Sequence, residues 1–389
     1  MAQAPAKIVT GARIFDGESW HEAGALHIVN GRIADLAPAD ARSGDVEVID
    51  ASGQLIVPGF VDLQVNGGGG VLLNEVPTAA GIARMCTAHA KFGTTGLLPT
   101  LITDTPEITS ATVEAGREAK AEGVPGFLGL HLEGPHLSLA RKGAHDPALI
   151  RPMQDEDLAQ IISCRSTFDA LMTTVAPESV TPEQVGRLAD AGVIVSIGHT
   201  NIGYATVRTY VEAGARTVTH LFNAMSPLAH REPGVVGAAL DIGSLYVGMI
   251  ADGIHVHPVA MGVALRAKRG PGRIFLVTDA MSPIGTDMTS FTLNGREILR
   301  RNGQLTLADG TLAGADIDMI SSVRFVYETL GLPLDEALRM ASTYPAEAAR
   351  LSDRKGALKR GFDADFVVLT PELGIHSTWI GGACVYRGA

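Results

Sequence analysis

The chain has 389 residues, 46% of them hydrophobic and 19% charged, with a formal net charge of −11. That length accommodates one barrel of roughly 250 residues with a small accessory domain, and the composition is that of a packed globular protein rather than a disordered one. The acidic balance provides no basic field for nucleic acid, so a small anionic substrate would need its own local Arg or His clamp.

The first residues, Met1 to Lys7, contain no long apolar h-region, and no stretch reaches the ~20 apolar residues of a membrane span. Cys86, Cys164 and Cys384 are odd in number and widely spaced, without a C-x-x-C pair, which argues against a disulfide framework or a thiolate zinc site. A soluble, cytoplasmic protein is expected, with neither nucleic acid nor membrane as partner. Residues 1–57 predict short strands at Lys7–Thr10, Ala25–Val29 and Val46–Asp50, and Asn30-Gly31 is a hairpin signal. The same style returns at Ala364–Leu369 and Cys384–Arg387. The two ends, 1–57 and 357–389, are therefore expected to pair into one small β-sandwich domain, split in sequence by residues 58–356.

Between them, apolar runs alternate with helix-length amphipathic segments, which is the pattern of parallel βα units. Eight runs stand out: Phe60–Gln64, Gly96–Thr100, Leu128–Glu133, Ala170–Val175, Ile194–His199, Thr217–His220, Tyr246–Ile250 and Ile274–Asp279. Eight strands close a (β/α)8 TIM barrel, so the fold class is α/β. Helices are expected near 78–92, 106–122, 155–165, 182–191, 204–213 and 258–268. A hairpin is expected over 290–310, followed by helices near 316–330 and 334–349.

Glu133, His199, His220 and Asp279 each stand at the downstream end of such a run, where a barrel of this kind carries its active site. Two histidines and a carboxylate suit a divalent ion that keeps an open position for water and acidifies it to near neutrality. Asp279, on a fourth strand, would serve as general base and acid. Taken singly, each has a plainer reading: a strand-end histidine held by a hydrogen bond, Glu133 capping the next helix, Asp279 as an N-cap. Their joint placement favours hydrolytic catalysis. His145, in Lys142-Gly143-Ala144-His145, is either an oxyanion donor reaching over the site or a solvated loop residue. His255 follows the seventh run and would face substrate. His136, His230 and His257 read as bystanders, and His89 as structural. Gly67–Gly70 completes no phosphate-loop pattern and reads as a flexible turn. No Lys stands at a strand end, which disfavours Schiff-base chemistry.

The ordered set His131-Leu132-Glu133-Gly134-Pro135, Gly198-His199-Thr200, Thr219-His220-Leu221-Phe222-Asn223-Ala224-Met225, Ala251-Asp252-Gly253-Ile254-His255 and Thr278-Asp279-Ala280-Met281 resembles the N-acetylglucosamine-6-phosphate deacetylases of the amidohydrolase superfamily. Pro58–Asp62, the His145 loop, Leu312-Ala313-Gly314 and the segment from Lys355 to Asp365 extend the likeness over nearly the whole chain. The resemblance implies metal ligation by Glu133, His199 and His220, acid and base catalysis by Asp279, and contact of His145 with the substrate carbonyl. It also implies sugar and phosphate binding by Asn223, Ala224, Arg231 and His255, with Leu312, Ala313 and Gly314 beside them, and a homodimer whose neighbouring subunit helps bind phosphate. Where the wider superfamily often has His-x-His on the first strand, this chain has Gln64 and Asn66. Amides are poor zinc ligands, and no lysine stands on the fourth strand to bridge two metals. One divalent ion per subunit is expected, Zn2+ first, with Fe2+, Co2+ or Mn2+ compatible, and Gln64 and Asn66 would hold water or substrate. The expected substrate is N-acetylglucosamine 6-phosphate. The alternatives are N-acetylgalactosamine 6-phosphate, another N-acyl amino sugar, or a non-catalytic relative, which would have lost its ligand residues.

Overall fold

The structure is a computed structural model, and it describes residues 6–22, 24–38 and 46–388. The first five residues, part of the segment read above for a leader, lie outside the described residues. Eight parallel strands form one sheet in chain order: Phe60–Val65, Thr94–Ile102, Gly129–Glu133, Ala170–Val175, Ile194–Ile197, Thr217–Val218, Tyr246–Met249 and Ile274–Leu276. A parallel bridge between Val65 and Ala280 joins the first strand to the chain just beyond the eighth, closing the barrel. Every expected strand run is a barrel strand. Nearly all strand residues are buried, because side chains fill the barrel inside and helices cover it outside.

The six expected helices occur at Ala79–Ala90, Pro106–Glu122, Asp155–Cys164, Pro182–Asp190, Tyr204–Glu212 and Pro258–Ala267. Local chemistry sets their ends. Thr105 accepts from the Ile108 amide ahead of Pro106, and Gly123 closes the same helix in a left-handed conformation at φ +69°. Thr181 and Gln184 form a reciprocal capping box. A further helix, Gly234–Asp241, was not expected from the sequence. All of its residues except Asp241 are buried, so it lacks the polar face that periodicity detects.

The two chain ends do meet in one sheet. Its order runs Ala383–Arg387, Ile375–Ile380, Phe366–Leu369, Leu55–Pro58, Arg13–Phe15, Trp20–His21, with Leu55–Pro58 antiparallel to Phe366–Leu369. A four-stranded sheet, Arg32–Pro38, Gly24–Val29, Lys7–Thr10 and Glu47–Asp50, packs against it through Val9, Ile14, Leu26, Ile56, Phe366 and Trp379. This is the small β-sandwich. The expected 290–310 hairpin is instead a four-stranded meander, Ser290–Leu293, Arg296–Arg301, Gln304–Thr306 and Leu312–Ala315, with a core of its own that includes Leu72, Ile102, Met281, Phe291 and Ile298. Among the described residues, no helix is long and apolar enough to cross a membrane.

Candidate active site

One cavity of about 430 Å3 opens at the C-terminal end of the barrel strands. Asn66, Glu133, His145, His199, His220, Asn223, Ala224, His255, Asp279, Leu312, Ala313 and Gly314 line it, all of them singled out from sequence. Ile102, Ile250, Met281 and Leu293 add an apolar wall that the sequence reading missed. Arg231 is exposed and does not line this chain's cavity.

Glu133 is the last residue of the third strand. His199 and His220 lie two residues beyond the fifth and sixth, and Asp279 three beyond the eighth. These last three have positive φ, 48°, 26° and 51°. Such backbone is costly for a residue with a Cβ and persists only where the surrounding structure enforces it, which happens most often at functional sites. Here the turn swings each side chain from the strand axis into the barrel mouth.

Nε2 of His199 lies 3.2 Å from Oε1 of Glu133, Nε2 of His220 lies 3.3 Å from the same oxygen, and the two nitrogens are 3.1 Å apart. Ligand atoms ~2.0–2.2 Å from one ion at tetrahedral angles stand about 3.3–3.6 Å apart, so this triangle matches a three-ligand site. Nδ1 of His199 lies 2.9 Å from the Arg141 carbonyl, which can only accept. Nδ1 therefore carries the proton and Nε2 offers a lone pair, the arrangement of a ligating histidine held by its outer partner. Gly143 lets that loop come close, since a Cβ there would sit 3.3 Å from the His199 ring and its φ is +56°.

A second grouping, Glu133, His145 and His199, also has ligand atoms within 4.8 Å of one another. The Glu133, His199 and His220 triangle is tighter. His145 is buried rather than a solvated loop residue, and its ring sits edge-on to His199 at 4.4 Å.

The electrostatics separate the two carboxyl groups. Burial favours the neutral acid at Glu133, but the imidazole groups of His199 and His220 beside its Oε1 outweigh it and hold the group well below the usual carboxylate range. Asp279 is raised by burial and then by the negative charge of Glu133. Their surroundings thus drive the two carboxyl groups in opposite directions. Burial, with His199 close by, pushes His145 down to about 3, so its ring is neutral.

Gln64 differs from expectation. Its Nε2 donates to Oε1 of Glu133 and Oδ1 of Asp279, both at 3.1 Å, and it does not line the cavity. Rather than holding substrate, the amide bridges the two carboxylates. Asn66 lines the cavity and also donates to Oδ1 of Asp279, at 2.7 Å. Beneath them Asp62, pushed up to about 7 by burial, accepts from the Thr278 hydroxyl at 2.6 Å and the Gln64 backbone N–H at 3.2 Å. A buried chain runs on from His131 to Thr174 at 2.7 Å, to Thr219 at 2.7 Å and to Ser196 at 2.6 Å, tying four strands together below the site. No residue pattern signals this layer, because Thr and Ser inside a strand look like ordinary β-formers.

The remaining candidates are also accounted for. Nδ1 of His255 pairs with Asp252 at 2.5 Å, leaving the other edge of its ring for the cavity. His136 is bound to the Arg151 carbonyl, His257 caps a helix, and His230 is exposed. His89 is buried against the Gly67 carbonyl.

Comparison with known proteins agrees with this geometry. Residues 55–385 match the amidohydrolase family. The chain is 41% identical to the N-acetylgalactosamine-6-phosphate deacetylase of Shewanella sp. (strain ANA-3) over 98% of this chain and 96% of that one. It is 36% identical to the N-acetylglucosamine-6-phosphate deacetylase of Haemophilus influenzae, covering 91% of this chain and 93% of the relative. Among solved structures, the N-acetylglucosamine-6-phosphate deacetylase of Pasteurella multocida superposes with a TM-score of 0.94 at 33% identity, over 98% of this chain and 100% of the other. The enzyme of the same description from Mycobacterium smegmatis gives 0.88 at 32% identity, over 98% and 100%. With the family matched over most of its length and the strand-end cluster in place, this chain belongs to the amidohydrolase family, within its group of amino-sugar-6-phosphate deacetylases.

Proposed function

We propose that the chain hydrolyses the acetamide of N-acetyl-D-glucosamine 6-phosphate to D-glucosamine 6-phosphate and acetate. The observation that carries this reading is the triangle of Glu133, His199 and His220 with the raised carboxyl of Asp279 across the same cavity. Those three residues would hold one divalent ion, zinc first, with iron, cobalt or manganese compatible with the same donors. When bound, such an ion polarises the acyl oxygen and acidifies water. Oδ1 of Asp279 is occupied by Gln64 and Asn66, so Oδ2 is the oxygen that takes the water proton. The water oxygen bonds to the acyl carbon, His145 donates to the acyl oxygen, and Asp279 returns the proton to nitrogen as the C–N bond breaks.

Asn66, Asn223, Ala224, His255, Leu312, Ala313 and Gly314 form the walls that would take sugar and phosphate. Arg231 lies outside this cavity, so its assignment to phosphate goes together with a homodimer in which each chain's Arg231 serves the neighbouring site. The assignment of residues 1–57 and 357–389 to one domain around a 58–356 barrel is part of the same reading, as is a reducing cytoplasmic setting, which the free Cys86, Cys164 and Cys384 support.

A second reading, N-acetylgalactosamine 6-phosphate as substrate, is favoured by the 41% identity to the Shewanella relative. Acetate release from the two phosphorylated epimers and from unphosphorylated N-acetylglucosamine, with zinc-reconstituted protein, tests both. Turnover led by the gluco epimer supports the proposal, and turnover led by the galacto epimer transfers it to the second reading. Equal rates with and without phosphate would refute the phosphate assignment.

A further inference from the structure

Thr103 directly follows the second barrel strand and is 1% exposed. Its backbone N–H donates to Nδ1 of His145 at 3.3 Å, and its hydroxyl oxygen lies 2.7 Å from the same nitrogen. A backbone amide can only donate, so Nδ1 must present a lone pair, and a neutral imidazole that accepts at Nδ1 carries its proton on Nε2. The other tautomer would aim an Nδ1 hydrogen at the amide hydrogen. It would also force the hydroxyl to seek the Glu133 carbonyl, 3.5 Å away. In the favoured arrangement the hydroxyl donates to Nδ1 beside the amide. The ring borders the cavity, and Nε2 has no protein partner among the described residues.

His199 provides the contrast. Its Nδ1 faces a carbonyl, which leaves Nε2 bare as a ligand. His145 faces an amide, which leaves Nε2 protonated and unable to ligate. Two histidines with rings 4.4 Å apart are thereby given opposite tasks by the backbone group behind each.

We propose that Thr103 is a positioning residue whose amide and hydroxyl lock His145 in the Nε2–H tautomer, so that a hydrogen-bond donor faces the acyl oxygen of the substrate. The inference rests on the hydrolytic reading of this site. Gly134 provides the space: its φ is +91°, and a Cβ there would stand 2.2 Å from the Thr103 hydroxyl oxygen. The glycine next to Glu133 therefore lets Thr103 stand between Glu133 and His145.

The test uses full-length protein labelled with 15N-histidine, with His145→Gln identifying the signal. Two-bond nitrogen–proton correlations are expected to show His145 with a lone pair on Nδ1 and a proton on Nε2, in the wild type and in Thr103→Ser. In Thr103→Val the Nδ1–H form should become populated. Kinetically, loss of one hydrogen bond at this position is expected to lower kcat roughly three- to tenfold with little change in KM, because the oxyanion develops in the transition state. Thr103→Ser should restore the rate, and Thr103→Val should have no further effect in the His145→Gln background. A wild-type His145 protonated on Nδ1 overturns the proposal. So does a Thr103→Val loss of equal size without His145, or a Thr103→Val protein unchanged in both tautomer and rate. The spectra require no substrate, so the expected tautomer in a protein inactive on amino-sugar phosphates would fault the assigned reaction and leave the role of Thr103 standing.

Discussion

At the C-terminal end of the barrel strands, Glu133 and Asp279 face a cavity with four histidines and no Lys or Arg among its lining residues. At the opposite end, where the barrel meets the terminal sheets, Lys120 pairs with Asp169 at 2.8 Å, Arg354 with Asp363 at 2.8 Å and with Asp169 at 3.3 Å, and Lys355 with Asp363 at 3.0 Å and with Asp365. Both ends concentrate charge. The lower network is closed on itself, so its charges hold chain segments together. The upper cluster borders an open cavity and keeps atoms such as Oδ2 of Asp279 and Nε2 of His145 without a partner among the described residues, and such groups are available for an ion, a proton and a substrate. Burying like charges close together destabilises the fold, and an active site retains that cost because chemistry needs it.

The sharpest way to break this contrast is to empty the upper end. Chelator treatment is expected to abolish hydrolysis and added zinc to restore it, while far-UV circular dichroism stays native; hydrolysis that survives complete metal removal, verified by elemental analysis, would contradict the ligand triangle. Next in size, Asp279→Asn should cut turnover by roughly 10²–10⁴, the usual worth of a positioned acid or base. Because the substitution removes a charge that Glu133 opposes, the melting temperature should hold or rise. A variant that melts early instead would mean that the upper cluster carries the fold after all.

The lower end should answer in the opposite manner. Lys355→Met leaves the buried Asp365 without its cation and the half-buried Asp363 with Arg354 alone, and is expected to cost about 3–5 kcal/mol in denaturant unfolding. Its kcat/KM below the transition should match the wild type, and a tenfold loss would link the two ends. The smallest effect concerns pH. Burial lowers His89 from 6.5 to about 4 in the folded chain, so between these values the unfolded chain binds the extra proton, and stability falls as pH falls through that window. His89→Gln should remove about one proton from the pH slope of unfolding there, and an unchanged slope would show that His89 titrates alike in both states.

Much of this was readable from residues alone, for identifiable reasons. Each barrel strand is a short apolar run bounded by turn residues, and the ligand-type side chains sit at the strand ends, where function breaks the apolar pattern. What escaped lacks such a contrast. Helix Gly234–Asp241 is apolar all round. The second strand was expected at 96–100 but runs from Thr94 to Ile102, and nothing in the residue pattern marked Thr103. The bridging role of Gln64 depends on the side-chain distance between Glu133 and Asp279, residues 146 positions apart. The exposed place of Arg231 reflects a loop path that no periodicity encodes.

The antiparallel pairing of Leu55–Pro58 with Phe366–Leu369 also bears on how the chain is made. On the ribosome the N-terminal strands emerge first, yet their sheet lacks its central neighbour until more than 300 residues have followed. For that interval Ile56 and Val57, buried in the finished protein, belong to an open sheet edge of the kind that recruits foreign strands. Synthesis of this protein therefore begins with its last step of assembly outstanding, and a ribosome that stalls before Phe366 releases a barrel with an unpaired edge.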